Sequence, residues 1–250
     1  MKDKEIRLLS HGLFEKPFMD SKVTSRSVST KEKILGHLVG PLGLIFVVNT
    51  IAALVEKFFT QQTGAMYGTT NADMVVTMGE RYEVVITAAK ILAVLLGLFN
   101  GWLIQHTQSR QGRMRPWYLI FGFVSIVIGC LIFLFPGSTL GESYWYYFFF
   151  LLIAYNTVGS TFFFLFRDTI CSLTTRDPVE KAQVQFIRKM SWTLISGVII
   201  GMLINMVALP LWLEKDINGY PVLMITLSII AIPLLLLEYF YTRERITEDV

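Results

Sequence analysis

Six apolar stretches dominate this chain, and each is about as long as a helix that crosses a membrane. A spanning helix needs about 20 mainly apolar residues, because each residue adds about 1.5 Å along the helix axis. Only 16% of the residues are charged, whereas soluble domains are about 25% charged. The sequence therefore predicts an all-α membrane protein with six transmembrane helices. We expect them at Leu35–Phe59, Val84–Gln105, Trp117–Phe135, Trp145–Ile170, Met190–Leu213 and Tyr220–Phe240.

The distribution of basic residues predicts how the helices are oriented. The loop after the second stretch contains Arg110, Arg113 and Arg115, whereas the loops on the opposite side contain only Arg81 and Lys215 as cations. Cytoplasmic loops of membrane proteins carry an excess of lysine and arginine. We therefore expect both termini to be cytoplasmic in a multi-pass protein of the cell (plasma or inner) membrane.

The apolar stretches divide the chain into three parts. Residues 1–33 are expected to form a cytoplasmic segment, which is either a disordered tail or an amphipathic helix on the membrane surface. Ser29 and Glu32 fit a capping box, which predicts that the first long helix begins there. Residues 34–241 should form the six-helix bundle, and residues 242–250 a cytoplasmic tail.

Several spaced motifs carry a resemblance to a known family. In the basic loop they are Gly101, Thr107, Ser109-Arg110, Gly112-Arg113 and Arg115-Pro116-Trp117; further on they are Asp177-Pro178, Glu180, Lys181, Arg188 and Thr242–Arg245. These motifs resemble the glycoside–pentoside–hexuronide cation symporters, the branch of the major facilitator superfamily that includes the melibiose carrier. The resemblance covers about Ile34 to Arg245 and implies one six-helix half of a fold that normally has two.

The chain departs from this family at the positions expected to bind the cation and the sugar. The resemblance places two acids of the second helix at Ala93 and Gly97, and sugar-binding acids near Ile45 and Phe164. None of these four side chains offers an oxygen ligand. The departure disfavours sodium-coupled sugar symport by this chain alone.

Candidate pathway residues are the polar groups at membrane depth. Lys90 lies about seven residues inside the second helix, or about 10 Å, where an ammonium is costly unless it faces water or a partner. It either lines a central cavity or extends to the interface and pairs with Glu83. Asn49, Tyr155 and Asn156 either line the same cavity or form interhelical hydrogen bonds.

Arg188 matches the helix-5 arginine of the family, so the resemblance implies a role in substrate binding or gating. An interfacial positive charge is the alternative. A cavity with Lys90 and Arg188 but without acids would favour an anionic or electron-rich solute.

Other residues are candidates for a cytoplasmic gate. The loop residues Gly101, Arg110, Arg113 and Arg115 either close the pathway or act only as a topology signal. Arg167 and Asp168, near the cytoplasmic end of the fourth helix, form either a gating pair or a hydrated pair at the headgroups. Gly36, Gly40 and Gly43 in the first helix, with Gly197 and Gly201 in the fifth, allow close helix approach, either between two halves or inside the bundle.

Catalytic and metal-binding patterns are not found in this sequence, and no cofactor is expected. The three histidines show no metal-ligand spacing, and the basic residues flank the membrane segments rather than forming a nucleic-acid-binding surface. We therefore expect a protein that is not an enzyme and that has the lipid bilayer and a small solute as partners.

The sequence predicts a half-size secondary transporter subunit that works by alternating access. Its substrate pathway would form when it pairs with a second six-helix half, because one half supplies only one wall of a cavity. A different half is slightly favoured over a second copy, since it could supply the missing acids. The solute is expected to be anionic or glycoside-like. A non-transporting scaffold or regulatory subunit that has lost its binding sites is the alternative, and a fragment of a longer protein is a third.

Overall fold

The computed structural model describes residues 21–67, 72–107, 112–135, 137–193 and 216–246. Every regular element in these ranges is helical, which confirms the all-α class for this part of the chain. A short helix, Gly137–Leu140, and a 3-10 turn, Gly141–Ser143, precede the fourth long helix. The long helices are α1 (Glu32–Tyr67), α2 (Ala72–His106), α3 (Arg115–Leu134), α4 (the consecutive segments Tyr144–Ala154, Tyr155–Thr161 and Phe162–Leu173), α5 (Pro178–Thr193) and α6 (Gly219–Phe240).

Three of these helices are long and apolar enough to cross a membrane by length and composition, and they are α1, α3 and α6. They cover the first, third and sixth predicted stretches. Helices α2 and α4 cover the second and fourth stretches, whose membrane crossing stays a prediction. Of the fifth predicted stretch, residues 190–193 belong to α5, and residues 194–213 lie outside the described residues.

The helix boundaries differ from the predicted apolar stretches. Helix α1 continues past Phe59 to Tyr67, and α2 begins at Ala72 rather than Val84. Hydropathy falls at these positions because polar residues appear, but the helical backbone continues, and the threonine hydroxyls there satisfy their hydrogen bonds within the same helix. Thr63 donates to the Phe59 carbonyl at 2.7 Å, and threonines elsewhere in these extensions make the same type of bond.

Helices α1 and α6 pack in close antiparallel contact along a row of glycines. A Cβ atom at Gly36 would lie 2.2 Å from the Tyr241 carbonyl oxygen, and one at Gly40 would lie 2.5 Å from the Cβ of Glu238. A Cβ at Gly43 would meet α6 at 2.7 Å. Because apolar residues gain little by leaving lipid, close van der Waals packing of this kind holds membrane helices together. These three glycines therefore pack inside the bundle.

Aromatic side chains fill the end of the bundle where α1 ends and α6 begins. The ring centroid of Phe58 lies 5.0 Å from those of both Phe133 and Tyr220. Phe59 lies 5.3 Å from Trp145 and within similar reach of Tyr82 and Phe148. Such contacts contribute about 0.5–1.5 kcal/mol per pair beyond simple burial. They join α1 to α2, α3, α4 and α6.

The opposite end of the bundle, which we call the basic end, comprises residues 112–117, 174–178 and 241–246 and the adjoining helix turns that contain Arg188, Lys189 and Glu238. Residues 21–28 lie against it in an irregular conformation. The Lys22 amide donates to the Phe240 carbonyl at 2.8 Å, and the Val28 amide donates to the Glu180 carboxylate at 3.4 Å. The surface helix predicted for the earlier part of the N-terminal segment lies outside the described residues.

The predicted capping box is confirmed in one of its two bonds. The Glu32 amide donates to the Ser29 hydroxyl at 3.2 Å, as an N-cap requires. The Glu32 carboxylate pairs instead with Arg245 at 2.6 Å. The carboxylate thus ties the start of α1 to the segment after α6.

Candidate functional site

A cavity of about 460 Å³ lies between α1, α2 and α4, and we call it the Lys90 cavity. Lys90 is exposed and lines it together with Glu56 from α1 and Glu83 from the first part of α2. The ammonium of Lys90 has no ion pair within 4.0 Å among the described residues. The predicted cavity position of Lys90 thus agrees with this geometry, and its suggested pair with Glu83 does not form.

Two further polar residues of the cavity come from α4. Tyr155 and Asn156 both line it, at the start of the segment Tyr155–Thr161, which is wound as a π-helix. The Asn156 amide donates to the Leu152 carbonyl at 2.9 Å, and the buried Tyr155 hydroxyl has no hydrogen-bond partner among the described residues. Short π-helical segments are frequent at functional sites because they change the direction in which side chains point.

The remaining two predicted pathway residues lie elsewhere. Asn49 is half-buried in α1, does not line the Lys90 cavity, and has an unpartnered Nδ2 among the described residues. Arg188 lies in α5, and it lines a second cavity. The structure therefore brings together Lys90, Tyr155 and Asn156 but separates them from Arg188.

This second cavity, of about 580 Å³, lies between α4 and α5, and we call it the Arg188 cavity. Arg167 and Arg188 are buried in its wall, and Lys189 is exposed at it. The Arg167 guanidinium lies over the Trp192 ring, 5.1 Å from the ring centroid, in a cation–π contact. Three cationic side chains from two helices therefore surround one cavity.

The guanidinium of Arg188 is the centre of a buried polar cluster that joins five helices, α1, α3, α4, α5 and α6. It pairs with the carboxylate of Glu238 from α6, which also accepts a hydrogen bond from the Tyr118 hydroxyl of α3. The other terminal nitrogen of Arg188 lies 3.3 Å from Nδ1 of His37 and 3.2 Å from Sγ of Cys171. Additional hydrogen bonds offset part of the cost of burying such a pair, and Tyr118 and His37 supply two of them here.

The first described turn after the basic loop is held by a carboxylate from beyond α6. Glu244 accepts hydrogen bonds from the backbone amides of Arg113, Met114 and Arg115, at 2.9, 2.9 and 2.6 Å. These amides open α3, where free N–H groups and the helix dipole favour a negative charge. Gly112 makes room for the carboxylate, because its φ is +98° and a Cβ would lie 2.5 Å from Glu244.

The predicted gate residues have different environments. Arg115 is 1% exposed, donates to the Tyr239 carbonyl at 2.8 Å, and lies over the Tyr239 ring. Its guanidinium is thus used inside this bundle. Arg113 is half-buried at the basic end, Gly101 lies in α2, and Asp168 lies in α4 with a side chain outside what the structure describes. Arg110 also lies outside the described residues.

Sequence reasoning missed several acidic residues that the structure places at these sites. They are Glu238 and Glu244 at the basic end, and Glu56 in the Lys90 cavity. The sequence could have predicted a buried contact for Glu238, because it is the only charged residue between Tyr220 and Phe240. A carboxylate inside an apolar segment requires a partner. The identity of that partner follows from helix packing rather than from any local pattern.

Comparison with known proteins agrees with this architecture. Residues 36–249 match the family described as MFS/sugar transport protein. The chain therefore belongs to this family of the major facilitator superfamily, whose members are membrane transporters rather than enzymes. No curated protein matches the chain. The predicted superfamily is thereby confirmed, and the narrower likeness to the melibiose-carrier branch stays a prediction.

Proposed function

We propose that this chain is a half-size secondary transporter subunit whose Lys90 cavity forms one wall of a solute pathway. The observation that carries the proposal is the set of polar groups around that cavity, namely Lys90, Glu56, Glu83, Tyr155 and Asn156. They come from three helices and surround about 460 Å³, within the range of about 300–1,000 Å³ for small-molecule sites. Family membership supports a transport role for this cavity.

The chemistry of the Lys90 cavity favours a glycoside-like solute over a simple anion. Two carboxylates and one ammonium line it, and such groups bind hydroxyls as acceptors and donors. Tyr82 adds an aromatic side chain to the same wall. The expectation of an anionic solute rested on a cavity without acids, so Glu56 and Glu83 weaken it here.

A second six-helix half would complete the pathway in this proposal. Helix α2 supports a partner surface, because Ile91, Leu95 and Leu98 are 59%, 59% and 78% exposed. Lipid or a second half would cover this apolar face. We favour a different half over a second copy, since Ala93 and Gly97 stand where the family resemblance expects cation-binding acids.

Alternating access would then close the pathway at the basic end, with both termini in the cytoplasm. The exposed or half-buried cations of that region, Arg113 and Lys189, are available to a partner half. We propose Gly101, Arg110, Arg167 and Asp168 as further parts of this gate. Arg115 would act indirectly, by fixing α3 against α6 through Tyr239.

Solute-dependent stabilisation tests the proposal. The tagged chain, solubilised with its native partners, would be heated with a neutral probe, methyl galactoside, or an anionic one, glucuronate. We expect a higher midpoint of thermal unfolding with the neutral glycoside, and loss of that shift in Lys90→Met. Arg81→Met is the matched control, because it removes an exposed cation from α2 outside the cavity. An equal loss of the shift in both variants would contradict a role for Lys90.

A non-transporting scaffold or regulatory subunit is the second candidate. The apolar residues at the expected acid positions favour it, and Ala93 is buried at 8% exposure rather than facing a solute. Under this alternative, neither probe would stabilise the complex, and Lys90→Met would behave like Arg81→Met.

A further inference from the structure

A second polar feature lies at the basic end, away from both cavities described above. Four arginines, Arg26, Arg176, Arg243 and Arg245, line a pocket of about 490 Å³, which we call the arginine pocket. They come from three separate parts of the chain: the segment before α1, the α4–α5 connection and the segment after α6. The fold therefore brings together arginines that are far apart in the sequence, since Arg26 and Arg243 are separated by 217 positions.

Backbone contacts hold the inner wall of the arginine pocket in place. Arg245 pairs with Glu32 and donates to the carbonyls of Thr174, Ser25 and Ser27 at 3.1 Å each. Arg243 donates to the Val23 carbonyl at 3.4 Å. These bonds position the segment that carries Arg26, so the site is preorganised rather than formed by independent surface chains.

One acidic residue, Asp177, lines the pocket itself, and Glu180 and Glu32 lie near it. The Asp177 carboxylate accepts a hydrogen bond from the Val179 amide at 2.9 Å, and Glu180 accepts one from the Thr175 hydroxyl at 3.0 Å. Glu32 neutralises Arg245. Arg26 and Arg176 are exposed and have no carboxylate within 4.0 Å among the described residues. Their charge is therefore available to a ligand.

The pocket lies at a depth where lipid headgroups are expected. Helix α6 has 22 residues, or about 33 Å, which matches the hydrocarbon thickness of a bilayer. Arg243 follows its last residue by only three positions. Basic pockets at helix ends on the cytoplasmic side bind anionic headgroups, and arginine forms paired hydrogen bonds with phosphate oxygens.

We propose that the arginine pocket binds a phosphate group, presented by an anionic phospholipid or by a soluble phosphate. The forked donors of Arg26 and Arg176 would bind the phosphate oxygens, while Arg243 and Arg245 maintain the positive wall. Bound lipid would then link the segment before α1 to the ends of α4 and α6. This inference is independent of the solute and of any second half.

The test compares two double variants that remove the same charge from the full chain. Arg26→Gln with Arg176→Gln alters the pocket, whereas Lys31→Gln with Lys181→Gln removes two cations that lie at the same end but do not line it. Each protein would be placed in nanodiscs of equal parts phosphatidylcholine and phosphatidylglycerol, and its retained lipids counted by native mass spectrometry. In a separate arm, inorganic phosphate would be titrated in neutral detergent against matched sodium chloride.

We expect wild type and the lysine variant to retain phosphatidylglycerol preferentially, and the arginine variant to lose that preference by on the order of tenfold. Loss of phosphate-dependent stabilisation in the arginine variant, with lipid retention unchanged, would instead assign the site to a soluble phosphate. Equal losses in both variants, or no preference for either probe in wild type, would overturn the proposal. Arg26→Lys with Arg176→Lys should retain an intermediate preference, because charge remains but the paired geometry does not.

Discussion

The basic end and the Lys90 cavity differ in what their charged side chains contact. At the basic end, Arg188, Arg115 and Arg245 are held by groups of the same bundle. In the Lys90 cavity, the ammonium of Lys90 has no ion-pair partner among the described residues. The paired arginines of the first region therefore fix helices to one another, whereas Lys90, like Arg26 and Arg176 in the arginine pocket, leaves its charge available to a ligand.

This difference distinguishes cations that stabilise the fold from cations that could bind a solute, although both types lie in or near the apolar segments. A buried arginine that pairs with a carboxylate, as Arg188 pairs with Glu238, attracts a solute less, because the carboxylate offsets its charge. An unpaired lysine in an open cavity retains its attraction. The comparison predicts that substitutions of the paired arginines at the basic end mainly change stability, whereas substitutions in the Lys90 cavity mainly change solute binding.

The largest effect is expected at the buried pair. Arg188→Met or Glu238→Met should each lower the free energy of unfolding by about 3–5 kcal/mol, because each leaves one uncompensated buried charge. The double variant should recover much of this loss, since neither charge remains. Unfolding in detergent measures all three. If Lys31→Met, which removes an exposed cation, cost as much as either single variant, the distinction between the two regions would fail.

A smaller loss is expected where α1 and α6 approach most closely. Gly40→Ala should cost about 1–3 kcal/mol, because the new Cβ would meet the backbone of Glu238 and the helices would have to move apart. Gly64→Ala is the matched control in α1, since nothing lies within 4 Å of a Cβ there. It should be neutral or stabilising by up to about 1 kcal/mol. Comparable unfolding midpoints for the two variants would contradict the close packing.

The Glu244 carboxylate, which accepts hydrogen bonds from the amides at the start of α3, should contribute about as much to stability, but only locally. Glu244→Ala leaves three buried or half-buried amides without their acceptor, at a cost of about 1–3 kcal/mol. Hydrogen exchange should accelerate at the amides of Arg113, Met114 and Arg115. Glu244→Gln keeps one acceptor oxygen and should give an intermediate rate. Unchanged exchange in Glu244→Ala would show that the carboxylate does not hold this turn.

The smallest effect on stability is expected at Lys90. Lys90→Met should change the free energy of unfolding by less than about 0.5 kcal/mol, as surface substitutions do, because the side chain is exposed and has no ion pair in the described structure. Its solute-dependent stabilisation should nevertheless disappear. A large loss of stability without any effect on solute binding would instead show that Lys90 is a structural cation, like Arg188.

The residues also show what a sequence can predict for such a protein. Apolar length predicted where the described helices lie, because a bilayer requires about 20 apolar residues. Polarity at depth predicted five pathway residues, and three of them, Lys90, Tyr155 and Asn156, line one cavity, while their role in a pathway stays a prediction. The contacts of Glu238 and Glu244 could not be predicted, because helix packing brings together residues that are far apart in the sequence. Glu238 lies 50 positions from Arg188, and Glu244 lies 129 positions from Arg115. Helix ends such as Tyr67 were missed because hydropathy marks the lipid boundary rather than the end of hydrogen bonding.

The most direct test of the central proposal is the mass of the intact complex that a tag on this chain draws from native membranes. The proposal predicts a complex of this chain with a second six-helix bundle. We expect that bundle to be a different half-transporter rather than a second copy of this chain. A different half should carry the acidic residues that the family resemblance expects at Ala93 and Gly97 of this chain. A stable monomer, or a complex with an unrelated large protein and no second bundle, would contradict the half-transporter and favour the non-transporting subunit.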